Sequence, residues 1–358
     1  MRNLLRSVKK KVISLFIKNI RYICLLLYRC GLEFKQAHLA YEFIKLDENI
    51  KKIPGFTVLN ERKYMHHFAR SLYQNKGFIC ELGCTFGSFT ASLASALDKG
   101  SKKIFCYDLF IYHDSFCDVL KSTEFKDLLK SGESFYHIFE HYTSAYKLFI
   151  QATPGDLNKL SWNKGMIEFL VIDAMKSDTL ADSILKKFYR HLDVGSIIFH
   201  QDFCHFHEPW IHLIHYKLNE HFKFICHIED SSSVVFKMTK KIDSSKISAG
   251  FNLMDFTSND IVKAFDYSLS RIDEEPAKQN VIAAKIYCLL ACHFFDEANT
   301  TLNETLASYD FVEIGNLEYV VKIAEKVASE KDTIVKEFVS NGKNLLTELD
   351  YITEITNS

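Results

Sequence analysis

Between residues 77 and 238, short apolar runs alternate with stretches of helical spacing. Seven runs predict strands: Gly77 to Leu82, Lys103 to Asp108, Tyr146 to Gln151, Met166 to Asp173, Gly195 to Asp202, Phe222 to His227 and Ser233 to Met238. Ala91 to Leu97 and Thr179 to His191 have helical spacing between them. Strands alternating with helices predict a parallel sheet with right-handed crossovers. The turn-prone Glu229-Asp230-Ser231-Ser232 between the last two runs predicts a final antiparallel pair. The expected class is therefore α/β, with a seven-stranded, mostly parallel sheet.

The flanks read as helical. Ala37 to Asn75 carries a helical pattern broken by the turn signal Ile53-Pro54-Gly55-Phe56, and Asn60 to Tyr73 leads into the first strand. His66 and His67 are adjacent there, so they point apart and are expected at the surface or a rim. Ile111 to Ser144 is a long link between strands two and three, with helical stretches around Phe116, Leu120, Phe125, Leu128 and Leu129. A crossover accounts for it, with a lid over the strand ends as the alternative. After the polar stretch Lys240 to Lys246 come helices over Ile261 to Ile272, Ala277 to Phe295, Glu297 to Tyr309 and Leu317 to Glu354. The expected division is an N-terminal extension over 1–59, a sheet domain over 60–242 and a helical region over 243–358.

Composition narrows the classes. A net charge of −1 over 358 residues gives no global electrostatic case for nucleic acid. Ten cysteines occur without any Cys-x-x-Cys, and Cys80, Cys106 and Cys226 fall inside apolar runs, so reduced thiols in the cytoplasm are expected. The first 35 residues hold nine Lys or Arg and one acid, Glu33. Their longest uncharged stretch is shorter than the roughly 20 residues a membrane span needs. Residues 1–30 predict either a basic amphipathic helix on the inner face of an anionic membrane or a helix packed on the domain. From Thr301 onward 11 acidic residues face 5 basic ones, which suits a solvated helical face or a homo-oligomer contact.

The chemistry gathers where strands end. Parallel strands present their carboxyl ends to one crevice, and here Glu81, Asp108, Asp173 and Asp202 lie at the ends of the first, second, fourth and fifth runs. The first strand passes into Glu81-Leu82-Gly83-Cys84-Thr85-Phe86-Gly87. Gly83 and Gly87 lack the third glycine of a dinucleotide fingerprint and the Gly-Lys-Ser/Thr of a P-loop. The loop thus predicts close backbone approach to a ligand without a pyrophosphate. Asp108, at the end of the second strand, suits the two hydroxyls of a ribose.

This ordered series resembles a class I S-adenosylmethionine-dependent methyltransferase over roughly residues 60–240. The resemblance implies a Rossmann-like sheet of seven strands with the last antiparallel. It places S-adenosylmethionine over Gly83, Cys84 and Gly87, with Glu81 toward the methionine ammonium, Asp108 on the ribose, Asp156 near adenine and Asp173 beside them. The cofactor is cationic, which suits carboxylates better than the basic groups a phosphate requires.

Ile172-Asp173-Ala174-Met175-Lys176 is similar to the strand-four motif of cation-dependent O-methyltransferases of the catechol and caffeoyl-coenzyme A type. That likeness implies Asp173 as a ligand of Mg²⁺ and Lys176 as base, with Gln201-Asp202 where the family has Asp-Asn. In the sugar O-methyltransferases of macrolide and aminocoumarin pathways a histidine is the base, which brings in His200 or His205. The imidazole-rich segment from His200 to Trp210, with His212 and His215 beyond, has no His-Glu-x-x-His and fits no structural zinc spacing. It is expected to line an acceptor pocket, while His212 and His215 share a helical face in the core. The function expected is O-methylation of a small-molecule or sugar-containing acceptor; the alternative is a non-catalytic scaffold that keeps the fold.

Overall fold

A computed structural model describes residues 35–308, together with Ile23 and Leu26. The expected N-terminal basic helix, the acidic C-terminal stretch beyond residue 308 and the helix over Leu317 to Glu354 lie outside the described residues. Among the described residues, no helix is long and apolar enough to cross a membrane. The chain divides into two compact units. One holds the residues up to 174 with 187–201 and 223–241, and the other holds 175–186, 202–222 and the residues from 242 on.

The first unit is built on a seven-stranded sheet: β1 (Phe78–Leu82), β2 (Ile104–Asp108), β3 (Ile150–Pro154), β4 (Ile167–Ile172), β5 (Leu192–His200), β6 (Phe222–His227) and β7 (Val234–Met238). The spatial order is β3-β2-β1-β4-β5-β7-β6. Pairing is parallel from β3 through β5, and β7 runs antiparallel to β5. All six residues of β4 are buried, as expected for a central strand covered on both faces. β3 is the edge, which explains its half-exposed side chains and its tolerance of Pro154. It also starts later than its apolar run suggests. Ser144–Phe149 forms a 3-10 turn in which Leu148 is 79% exposed, because an edge position leaves no partner to draw those residues into the ladder.

Before the sheet, α1 (Leu59–His67) continues into a π-helical turn, Phe68–Leu72, and α2 (Ser88–Ala94) follows β1. Every residue of α2 is buried, and its Ser, Thr and Ala side chains are small enough for that close approach. One face of the sheet is filled by aromatic contacts. Phe68 stacks on Phe169 at 3.8 Å, and Tyr64 and Phe89 each meet Phe199 at 5.6 Å. His67 departs from expectation: it is buried, and its Nε2 lies 2.8 Å from the Ala37 carbonyl, so the helix turns it toward the chain that precedes it. In the long link, Cys117–Leu120 is one short helix and α3 (Tyr136–Thr143) another, while the stretch around Phe125 and Leu128 is turns.

In the second unit α4 (Asp178–Lys187), α5 (Pro209–Lys217), α6 (Ser258–Leu269), α7 (Glu275–Ala291) and α8 (Phe295–Ser308) account for the helical spacing after residue 178 and after the polar stretch. His212 and His215 are both buried on α5, and His212 Nδ1 pairs with Ser268 Oγ of α6 at 2.9 Å. Cys80, Cys106 and Cys226 are free and buried, acting as small apolar residues.

Two predictions follow from buried polar groups. Glu168 on β4 accepts the amides of Gln74, Lys76 and Gly77 at 2.5, 2.6 and 2.9 Å, which fixes the approach to β1. Glu168→Ala strands those donors and is expected to cost about 2–4 kcal/mol in urea unfolding, with Glu168→Gln less harmful. Burial lowers the pKa of His38 and of His212 to about 3, so both are neutral in the fold. The unfolded chain takes up their protons near pH 6.5. Their stabilisation is therefore complete above that value and is lost as pH falls toward 3. A fall in Tm across this window, reduced in His212→Gln, is the expected result.

Candidate cofactor site

Backbone hydrogen bonds carry the parallel ladder past the ends of the strands. Gly83 N donates to Tyr107 O at 2.8 Å, Asp173 N to Leu82 O at 2.8 Å, Gly155 N to Asp108 O at 2.8 Å and Gln201 N to Ile172 O at 3.0 Å. These bonds align the ends of β1, β2, β3, β4 and β5 along one edge of the sheet, so the expected convergence of strand ends is present.

The loop from β1 to α2 requires both of its glycines. Gly83 has φ +84°, and a Cβ there would lie 2.2 Å from the Asp173 carbonyl oxygen. Gly87 has φ +90°, and a Cβ would lie 2.5 Å from Thr143 Cγ2 on α3. Thr85 also has positive φ, 47°, although it is not glycine. Its backbone amide explains the strain, since it donates to Asp108 Oδ2 at 2.9 Å. The other carboxylate oxygen, Oδ1, accepts the Phe110 amide at 2.7 Å. Asp108 thus clamps the loop onto β2. Burial raises its pKa while these amide bonds pull it down, and the net direction is upward.

Glu81 lies beneath α2. Its Oε2 accepts from Thr90 Oγ1 at 2.6 Å and from Cys106 Sγ at 3.7 Å, while its Oε1 is buried without a partner among the described residues. Burial pushes its pKa up to about 8. A buried carboxyl with one oxygen unused is a site that a cation or a water would complete, and this fits the ammonium of the expected cofactor. Thr90 and Cys106 were not legible as its partners, because nothing in the local pattern ties residues 9 and 25 positions away to it.

The other expected residues divide between the two units. In the first, Asp156 sits in the turn after β3, its Oδ1 accepting the Asn158 amide at 2.8 Å. Asp173 follows β4, bonded through its backbone to β1. His200 is wholly buried, with Nε2 3.0 Å from Tyr189 Oη. Cys84 is buried, and Gln201 is nearly so.

In the second unit the Lys176 ammonium bonds the Asp202 carboxylate and lies 3.9 Å from Glu208 Oε1. His205 Nδ1 is 2.7 Å from Glu208 Oε2. Burial lowers the His205 pKa, but the bond to Glu208 and the negative charges of Glu208 and Asp202 together outweigh it, and the net shift is upward. Asp202, His205 and Glu208 each offer a ligand atom, all within 4.8 Å of one another. The i, i+3 spacing of His205 and Glu208 is the one sequence signal for this pair. Of the expected Mg²⁺ set, Asp173 and Gln201 belong to the first unit, and Asp202, in the second, is bonded to Lys176.

No protein-family profile matches the chain, and no curated protein matches it in sequence. Solved structures do overlap it. The O-methyltransferase NovP overlaps 51% of this chain and 81% of its own at 14% identity, with a TM-score of 0.39. The calicheamicin methyltransferase CalS11 overlaps 57% and 90% at 11% identity, also with 0.39. TomG of Streptomyces achromogenes, an O-methyltransferase of tomaymycin synthesis in complex with S-adenosylmethionine, overlaps 57% and 95% at 12% identity, again with 0.39. Overlaps this partial give no residue correspondence, and the fold statement rests on the strand order and the antiparallel pairing of β7 with β5. The chain has the class I methyltransferase fold.

The tight fit at Gly83 yields a direct expectation. Gly83→Ala forces either the loop or the start of the β4 exit to move, at a cost of about 1–3 kcal/mol, and frees the Thr85 amide from Asp108. Amide exchange at Thr85 would rise well above that of a variant at an exposed site.

Proposed function

We propose that the chain is an S-adenosylmethionine-dependent methyltransferase that methylates an oxygen of a small-molecule or sugar-containing acceptor. The observation that carries the reading is the pairing of a two-glycine loop with carboxylates on both of its sides. Gly83 and Gly87 let the backbone approach a ligand closely, Asp108 is positioned by the loop amides, and Glu81 keeps one buried oxygen unused. No lysine or arginine stands in the loop, so the site favours a cationic nucleoside over a phosphate.

S-adenosylmethionine supplies an electrophilic methyl group when bound. The protein's part is to hold two reactants in line and to accept a proton from the acceptor hydroxyl. His205 is the base favoured here, since Glu208 fixes its Nδ1 and leaves Nε2 to take a proton. Lys176 is held as an ammonium by Asp202, which suits it to charge compensation at that carboxylate more than to proton abstraction. Transfer is accordingly expected without a divalent metal.

Calorimetric titration with S-adenosylmethionine tests the reading. Binding that weakens at least tenfold in Asp108→Ala is expected; absence of binding to the unaltered protein favours the scaffold alternative and overturns the enzyme. Once an acceptor is found, His205→Ala is expected to slow transfer by about 10²–10⁴-fold, and a chelator to leave the rate unchanged.

A further inference from the structure

The cofactor residues do not account for a second cavity in the first unit. It measures about 730 Å³ and lies among the turn at Asn49 to Gly55, Arg62 of α1, the segment Val119 to Glu124 and the end of α3 at His141 and Tyr142. Its lining has three cations, Lys51, Lys52 and Arg62, against one carboxylate, Glu124, which is already paired with His141 at 3.1 Å.

Arg62 is the informative member. It is only 6% exposed, and among the described residues no carboxylate lies within the 4.0 Å of an ion pair. Its Nη1 spans the carbonyls of Ile50, Lys51 and Ile53 at 3.3, 3.2 and 2.8 Å, and Nε donates to Thr57 Oγ1 at 2.8 Å. Nη2 makes one bond, to Thr57 O at 3.3 Å, so its second N–H has no acceptor among the described residues. The adjacent Glu61 accepts from Val58 N and Ser233 Oγ and acts on Arg62 through its charge without an ion-pair contact. Buried charges are normally paired, because desolvating one without a counter-ion costs several kcal/mol. At the rim Lys52 has no ion-pair partner, while Lys51 is bonded to Glu48.

The cavity adjoins the helix that follows the glycine loop. Thr57 Oγ1, which receives the Arg62 bond, is 2.9 Å from Ser88 Oγ at the first position of α2. Arg62 and Ser88 are therefore tied through one hydroxyl.

We propose that this cavity binds the phosphoryl group of a small-molecule ligand, with Arg62 at its floor and Lys51 and Lys52 at its rim. The excess of cations matches a dianionic group better than a single carboxylate. On the methyltransferase reading this ligand is the acceptor, and its phosphoryl group anchors it beside α2.

Inorganic pyrophosphate and citrate, each titrated into the full chain and followed by phosphorus or proton NMR and by Tm, test the proposal. Saturable pyrophosphate binding, tighter than citrate and weakened at least tenfold in Lys51→Ala/Lys52→Ala, is expected. Both lysines have exposed ammonium ends, so this variant is expected to keep the Tm of the unliganded protein. Absence of pyrophosphate binding, tighter citrate binding, or unchanged affinity in the double variant overturns it. The readout needs no S-adenosylmethionine. Pyrophosphate binding by a protein that fails to bind S-adenosylmethionine would keep the anion site and discard the methyltransferase reading.

Discussion

The arrangement depends on backbone register at the carboxyl edge of the sheet. Leu82 pairs with Tyr107 on one side and Ile172 on the other, and Ile172 pairs with His200. Four further amide bonds extend this ladder into the loops. Side chains that follow these strands are thereby brought to one edge without contacts of their own. A one-residue slip of β2 against β1 would move Asp108 away from the Thr85 amide and reverse which of its residues face the core.

Within that frame two carboxyl groups are treated differently. Asp108 is half-buried and held by loop amides, so its charge is used to shape the loop. Glu81 is buried and half satisfied, and its pKa rises to about 8 because burial disfavours the charge. A cation reaching its free oxygen would favour ionisation, so the proton held there at neutral pH is linked to ligand binding. The second unit shows another solution: Asp202 carries its counter-charge internally in Lys176.

Much of this was legible in the sequence where the signal was local. The apolar runs located six of the seven strands, and the glycine spacing located the loop, because both depend on neighbouring residues. What required the fold was everything set by long-range contact. His67 reads as a surface histidine until the chain at Ala37 is seen to cover it, and the contact of His200 with Tyr189 has no local signal either. Arg62 looks like one more helical arginine, and only the carbonyls of Ile50 and Ile53 and the lack of a carboxylate single it out. The Tyr146 to Gln151 run misplaced β3 because an edge strand has too little burial to fix its start.

The central claim is that the Gly83 to Gly87 loop and Asp108 form the seat of S-adenosylmethionine. Hydrogen exchange of the full chain, measured with and without S-adenosylhomocysteine, tests it most directly. The account predicts added protection in peptides covering residues 83–87 and 108–110. Unchanged exchange there, with protection appearing only in other segments, would contradict it.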